Sequence, residues 1–462
     1  MDRSKLKELE LDGDESKRRE GEWLIQIKQG IQANQTIARP STVCIFTVPK
    51  ILVDQKPDAY LPQVVSIGPC FHCIIDFSDM VDQKQRAVQR ITKRLHGKTD
   101  IYSVVAEIKT MDGQIRGNYQ KIINCDSETL AWMMLLDASF LLELLRTLAG
   151  KDQSDSSGGT YFEPLFDESR VKSVGFAVLG DIVKLENQIP LLVLNKMLQL
   201  EGRSEKEAKA KLFDLLLNAA ASFFPFKYLQ ISRFELDSPF IGREHFLGFL
   251  HGLILSFFSG GRSSSLPIVQ TRNNLCNHVL PSVSMLSKAG VHIRPYTGDG
   301  GMALRFDREA STLYLPIIMI SENTETVLRN LMAMEAFLPS ELQVVSCYVG
   351  LMDSLIYSEQ DGTTLRMAGV FYIYVGNDAK VAELWENLCK GMAISSLEPL
   401  MAVKKEIIEC YRSKWKTGLL EFFVNHFTRR WRTIVSLFAA TFIFLFTFVQ
   451  TLASMYGFYR GS

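Results

Sequence analysis

SETLAWMMLLDASFLLELLRTLAG, Ser127 to Gly150, places apolar residues on nearly every face of the helix it encodes, so that helix has to be buried almost all round. Ser127 is positioned to cap its start and Gly150 to stop it. A helix of this kind needs a layer of further helices around it, which makes the expected fold class mainly α. After the polar loop KDQSDSSGGT, Lys151 to Thr160, a second apolar pattern runs from about Ser169 through VKSVGFAVLGDIVKLENQIPLLVLNKMLQL. Helical periodicity predicts further elements at Lys206 to Ser222, His245 to Phe258, Ser321 to Phe337, Val344 to Ile356 and Val381 to Met392. A short helix is begun by Pro281 and Ser282 and ended by Gly290. Between Val291 and Ile320 the pieces VHIRP, MALRFD and TLYLPIIMI have strand length, and a small antiparallel β element is expected there, with Gly298-Asp299-Gly300-Gly301 as a hairpin connection. TVCIFTVPKIL, Thr42 to Leu52, reads as a short strand leading into a turn between Lys56 and Pro62. No repeat at a fixed period is visible.

The charge balance removes one class of function. Lys+Arg and Asp+Glu are both 51, and no basic excess is available to neutralise a phosphate backbone, so nucleic acid is not an expected partner. Eight cysteines in 462 residues are too sparse for a disulfide scaffold. MDRSKLKELELDGDESKRREGE has no apolar core of a secretory signal, and residues 1–22 are expected to be a disordered, charged N-terminus ahead of a helical body over 23–428. Residues 429–462 form a different kind of segment. From Thr433 to Tyr459 no side chain is charged, and 434–456 is long enough, at about 1.5 Å per residue, to cross a ~30 Å hydrocarbon core. The expectation is one C-terminal transmembrane helix with the bilayer as partner through 434–456. Arg429, Arg430 and Arg432 precede the run and Arg460 alone follows it, which favours a cytosolic body, with plasma membrane and endomembrane both open. On that topology Asn34-Gln35-Thr36, an acceptor pattern for glycosylation, would not meet the glycosylating enzymes.

Candidate chemistry is scattered. Asp137, Glu143, Asp181 and Glu186 lie on or beside the most apolar helices, where two carboxylates could serve as general acid and base. The alternative is structural: Glu186-Asn187-Gln188 precede Ile189-Pro190, where a helix is interrupted and freed backbone groups need partners. Cys70-Phe71-His72-Cys73 has the spacing of a redox dithiol or half a zinc site, and Cys276-Asn277-His278 is the other close Cys/His grouping. His245 and His251 are six apart and point about 240° from each other, so they cannot share a metal as an i,i+4 pair does. MVDQKQRAVQRITKRLH, Met80 to His96, carries Lys84, Arg86, Arg90, Lys93 and Arg94, either as a basic docking surface or as an ordinary solvated face. Gly-rich phosphate loops, HExxH and GxSxG are absent from the sequence. No catalytic residue, metal ligand, cofactor or small molecule is expected.

Ile45-Phe46-Thr47-Val48-Pro49, Ala59-Tyr60-Leu61-Pro62 with Val65-Ser66-Ile67-Gly68-Pro69, the block from Asp137 to Leu144, the block from Asp181 to Pro190, Ala289-Gly290-Val291, and Cys347-Tyr348 with Met352-Asp353-Ser354-Leu355-Ile356 occur in that order. Together with the apolar tail they resemble the signature blocks of DUF247 (UPF0481), a plant family of uncharacterised membrane-tethered proteins, across roughly Thr42 to Tyr459. The chain departs from the family pattern after Gly68-Pro69, where members commonly have Tyr-His-His-Gly and only His72 keeps it. The resemblance implies no established catalytic residue or cofactor. Some grass members are implicated as pollen-side determinants of self-incompatibility, which implies recognition or signalling. The expected function is therefore recognition of an unidentified protein partner by a membrane-tethered protein. The alternative is an enzyme, for instance a hydrolase, using the buried carboxylates or the Cys/His cluster.

Overall fold

The computed structural model describes residues 43–72, 78–95, 100–149, 172–227, 244–259, 280–297, 304–391, 400–414 and 437–451, with isolated positions near residue 21. The 127–150 stretch forms the central helix. Its N-cap is Asp126, which accepts from the N–H groups of Glu128 and Thr129, one residue earlier than the sequence suggests. The first helices in chain order are α1 (Lys50–Gln55), α2 (Pro57–Tyr60), α3 (Ser78–Arg94), α4 (Ile101–Lys109), α5 (Asp112–Gly117) and α6 (Ser127–Leu148). They are followed by α7 (Lys172–Asp181), α8 (Leu191–Leu200) and α9 (Glu205–Phe223), the last opened by a capping box between Ser204 and Glu207. Helices α3, α4, α5, α8 and α9 all pack on α6, which answers its need for cover on every side. The expected strand over Thr42 to Leu52 is not formed. Ile45 makes a single bridge to Tyr119, and Lys50 onward turns into α1, because Pro49 presets the backbone and removes a ladder donor.

The remaining elements build a second layer. They are α10 (Phe246–Ser259), α11 (Val283–Lys288), β1 (His292–Pro295), β2 (Arg305–Asp307), β3 (Thr312–Leu315), β4 (Ile318–Ile320), α12 (Thr324–Glu335), α13 (Val344–Leu355), α14 (Glu359–Met367), β5 (Phe371–Ile373), α15 (Asp378–Cys389), α16 (400–414) and α17 (437–451). The rings of Phe226, Phe258, Tyr348, Trp385 and Phe371 meet edge-on, tilted or stacked at centroid distances of 5.4–6.3 Å and fill the middle of this layer. One hydrophobic cluster runs continuously from Cys44 to Cys410 and joins the two layers.

The β element is mixed, not antiparallel. In the order β1-β3-β2, β2 pairs antiparallel with β3 while β1 pairs with it in parallel, and β4 pairs in parallel with β5, about fifty residues later in the chain. The cause is a unit that occurs twice. α11-Ala289-Gly290-Val291-β1 and α14-Ala368-Gly369-Val370-β5 each end a helix on a left-handed glycine, at φ 79° and 76°, and launch a strand. In both, the valine N–H reaches back to a leucine carbonyl, Val291 to Leu286 and Val370 to Leu365. The two strands then lie beside β3 and β4, adjacent pieces of one stretch broken at Pro316. Gly298 to Gly301 lies outside the described residues, as do residues 151–160 and 1–20.

The expected transmembrane helix over 434–456 is overturned. Among the described residues no helix is long and apolar enough to cross a membrane. α17, residues 437–451, is helical and exposed throughout, and residues 415–436 and 452–462 lie outside the described residues. The bilayer as partner and the single-pass C-terminal anchor go with it, and the argument for a cytosolic body loses its basis.

Candidate functional site

Two of the four candidate carboxylates, Asp137 and Asp181, are brought to one place, around the extended segment Leu61 to Gly68. Val65 to Gly68 are buried outside any sheet, so their backbone groups must be satisfied by side chains. Asp181, wholly buried, accepts from the N–H groups of Gln63, Val64 and Val65 at 2.7–3.1 Å and from Lys184 Nζ at 2.8 Å. Lys184 Nζ also donates to Leu61 O. Asn187 Oδ1 accepts from Ile67 N, and its Nδ2 donates to Val65 O. Asp137 accepts from Gly68 N at 2.8 Å and pairs with Lys84 Nζ at 2.5 Å, while the same ammonium donates to Ser66 O. Glu186 accepts from Val48 N, and burial pushes its carboxyl above the ordinary range against the lowering effect of that bond and of Lys121. Gly68 sits at φ 77°, and a Cβ there would lie 2.4 Å from Gln188 O.

Glu143 belongs to a second cluster, in which Arg146 bridges it at 2.7 Å to Glu201 at 2.6 Å, with Arg90 and Arg94 of α3 at 3.8 and 3.6 Å. Of the five basic residues, Lys84 turns inward to Asp137 of α6 and Arg90 and Arg94 reach Glu143 while staying partly exposed, whereas Arg86 and Lys93 are exposed. No spacing signal in the sequence pairs α3 with α6, since the partners are some fifty residues apart.

The histidines are also structural. His245 Nε2 donates to Cys44 O and Nδ1 accepts from Gly248 N, so the ring is the neutral cap of α10, and burial lowers its pKa to about 4. His251 Nε2 faces Glu335 Oε1 at 3.0 Å and Leu342 O at 2.9 Å, both acceptors, so that nitrogen carries the proton. Glu335 also accepts from Val345 N, Ser346 N and Ser346 Oγ, capping the start of α13 from a neighbouring helix. This carboxylate–imidazole pair, 84 residues apart in the chain and sealed from solvent, has no room for a substrate. Cys70 is buried and its thiol is pushed up to about 12, chiefly by desolvation, so it is no thiolate nucleophile. His72 is exposed, whereas Cys73, Cys276 and His278 lie outside the described residues. Among the described residues no group of three His, Cys, Asp or Glu side chains could hold a metal ion. Of the carboxylates in the enzyme alternative, Asp137, Glu143 and Asp181 are buried and each is held by main-chain or cationic partners.

Among the described residues, two depressions that open to solvent lie near these elements. The smaller, about 330 Å³, lies over Gly180 and Lys184, but the Lys184 ammonium is turned inward to Asp181 and the rim is closed by Lys56 against Glu325 at 3.6 Å. The larger is a groove of about 700 Å³ between β1 and α14, lined by His292, Ile293 and Arg294 on one wall and by Gln360, Thr364 and Met367 on the other. It lies where the strand of the first helix–Ala-Gly-Val–strand unit meets the helix of the second. Asp361, buried, sets the distance between them: it accepts from Ser284 N at the start of α11 and from Tyr357 N, Ser358 N and Ser358 Oγ at the start of α14. Burial raises its pKa, but these bonds outweigh burial and leave it below the ordinary value. Sequence reasoning did not single out this groove, because its far wall, EQDGTTLRM, is a polar helix with a glycine in the middle and carries no chemical motif.

Comparison with known proteins places these features in a family. A family model described as a plant protein of unknown function, DUF247, matches residues 45–446. A UPF0481 protein of Arabidopsis thaliana is 26% identical, over 87% of this chain and 88% of its own length. A second UPF0481 protein of the same plant is 23% identical, over 90% of this chain and 86% of its own. No solved structure gives a significant match.

Proposed function

Since the chain belongs to the DUF247 family of plant proteins of unknown function, its activity has to be read from its own geometry, and we propose that it is a recognition protein whose β1–α14 groove takes an extended segment of a partner protein. The edge of β1 carries this reading. His292 N donates to Ser311 O and Tyr296 N to Leu315 O, so the even-numbered residues are spent on β3. In a parallel ladder the alternate residues direct their N–H and C=O the other way, which leaves those of Ile293 facing the groove side as a template for one more strand. Pro295 has no N–H and limits that template to a short piece. Helix α14 supplies a second wall with exposed Met367 for side-chain contact.

The test is selection of a displayed random-peptide library on the full chain, followed by binding to the variant Thr364→Trp, which fills the groove from a half-buried position on its wall. Selected peptides should lose at least about tenfold in affinity for the variant while its melting temperature is unchanged. Peptides that bind both proteins equally, or no enrichment at all, would sink the proposal.

A further inference from the structure

Resting on that reading of the groove, we infer that the segment it takes is acidic, with Asp or Glu at alternate positions and apolar residues between them. His292 and Arg294 are exposed and stand two apart on one face of β1, while Ile293 and Pro295 are half-buried on the other. A strand added beside β1 repeats this alternation, because directly neighbouring residues of paired strands share a face at about 5 Å. Carboxylates would then stand opposite His292 and Arg294, and apolar side chains opposite Ile293 and Pro295. Among the described residues no carboxylate lines the groove to compete for the His292 ring and the Arg294 guanidinium. On the α14 side Asp361 is turned to the starts of α11 and α14, Asp378 is held by Arg366 Nε at 2.9 Å and by Thr363 Oγ1 at 2.7 Å, and Glu359, at the start of α14, is exposed and does not line the groove. Further positive charge stands at the α11 end of the groove, where Lys288 is exposed and Lys414 Nζ donates to Gly290 O at 2.6 Å. A basic segment would meet the Arg294 guanidinium along β1 and find no carboxylate on the groove lining to offset its desolvation.

Three labelled capped hexapeptides distinguish the possibilities when titrated by fluorescence anisotropy against the full chain at low and high salt: valine alternating with aspartate, valine alternating with lysine, and valine alternating with serine. The acidic peptide should bind at least about tenfold more tightly than the lysine one, and the margin should shrink as salt rises. In the double variant His292→Glu and Arg294→Glu, the preference should reverse in favour of lysine, whereas Arg294→Lys should keep it. Both positions are exposed, so circular dichroism should show the fold intact. Equal binding of all three peptides, lost in Thr364→Trp, would overturn the acidic preference and leave the groove reading standing. Absence of binding by any of them, together with an unenriched library, would overturn both. A concentration-dependent dimer in sedimentation that Thr364→Trp abolishes would assign the groove to a second copy of this chain and likewise overturn the inference.

Discussion

Residues 61–68 and β1 are both short extended pieces of backbone lying against helices, and they are finished in opposite ways. Around 61–68 the side chains of Asp181, Asn187, Asp137, Lys184 and Lys84 take up the main-chain groups, and each of these five residues is buried or nearly so. Along β1 one side is paired with β3 and the other faces an open groove. The difference teaches where to look for activity in this protein. Its buried charges, which attract attention in the sequence, are consumed in closing the fold, while the surface able to accept a partner is built from ordinary residues and a backbone edge. Desolvated charge is expensive and persists only where every bond is made.

That contrast can be broken first at Asp181. Asp181→Ala would leave three main-chain N–H groups without their acceptor and the buried Lys184 ammonium without its carboxylate, and chemical denaturation should show a loss of about 3–5 kcal/mol, the range for removing one partner of a buried ion pair. A loss below about 1 kcal/mol would mean that the segment is held by something else. The next largest effect is expected at the His245 cap. The imidazole titrates at about 4 in the folded protein against an ordinary value of 6.5, so the unfolded chain binds its proton first as pH falls. Stability from this group is present above pH 6.5 and is lost as pH drops towards 4, by roughly 3 kcal/mol. A His245→Gln variant measured over the same range should lack that slope. If both proteins lose stability in parallel, the slope belongs to other groups.

Gly68→Ala should be milder. The added methyl must find space 2.4 Å from Gln188 O at a φ of 77°, and a cost of about 2 kcal/mol is expected in thermal denaturation. The smallest effects on stability should come from the groove. Arg294→Glu and Met367→Ala change exposed side chains and should stay within about 0.5 kcal/mol of the parent. Destabilisation there comparable to Asp181→Ala would erase the distinction between a closed structural region and an open binding one.

Much of the helical layout was legible because its signals are local. The apolar pattern of α6, the Pro281-Ser282 start and Gly290 stop of α11, and the helical periodicity of α9 all act within one or two turns of the chain. α14 and β5 were not legible for the same reason, since a nine-residue polar helix and a three-residue strand carry too little pattern of their own. The second Ala-Gly-Val, at 368–370, marks them only once the first is seen to end a helix and launch a strand. The apolar run near the C-terminus was legible as composition, but its reading as a span was not sustained by the described helix at 437–451.

By itself the sequence determined which segments coil, where several of them stop, and that α6 had to be buried, because backbone hydrogen bonding and helical periodicity depend on neighbours within about four residues. It could not determine that β1 runs parallel to β3, that Lys84 turns inward to Asp137 and Arg90 and Arg94 reach Glu143, or that Glu335 meets His251 across 84 residues. Those are pairings between groups far apart in the chain, and a charged side chain carries the same letter whether it faces water or a buried partner. Only the packing of α6, α12 and the two small sheets decided which charges would be enclosed and satisfied, and which strand edge would be left open.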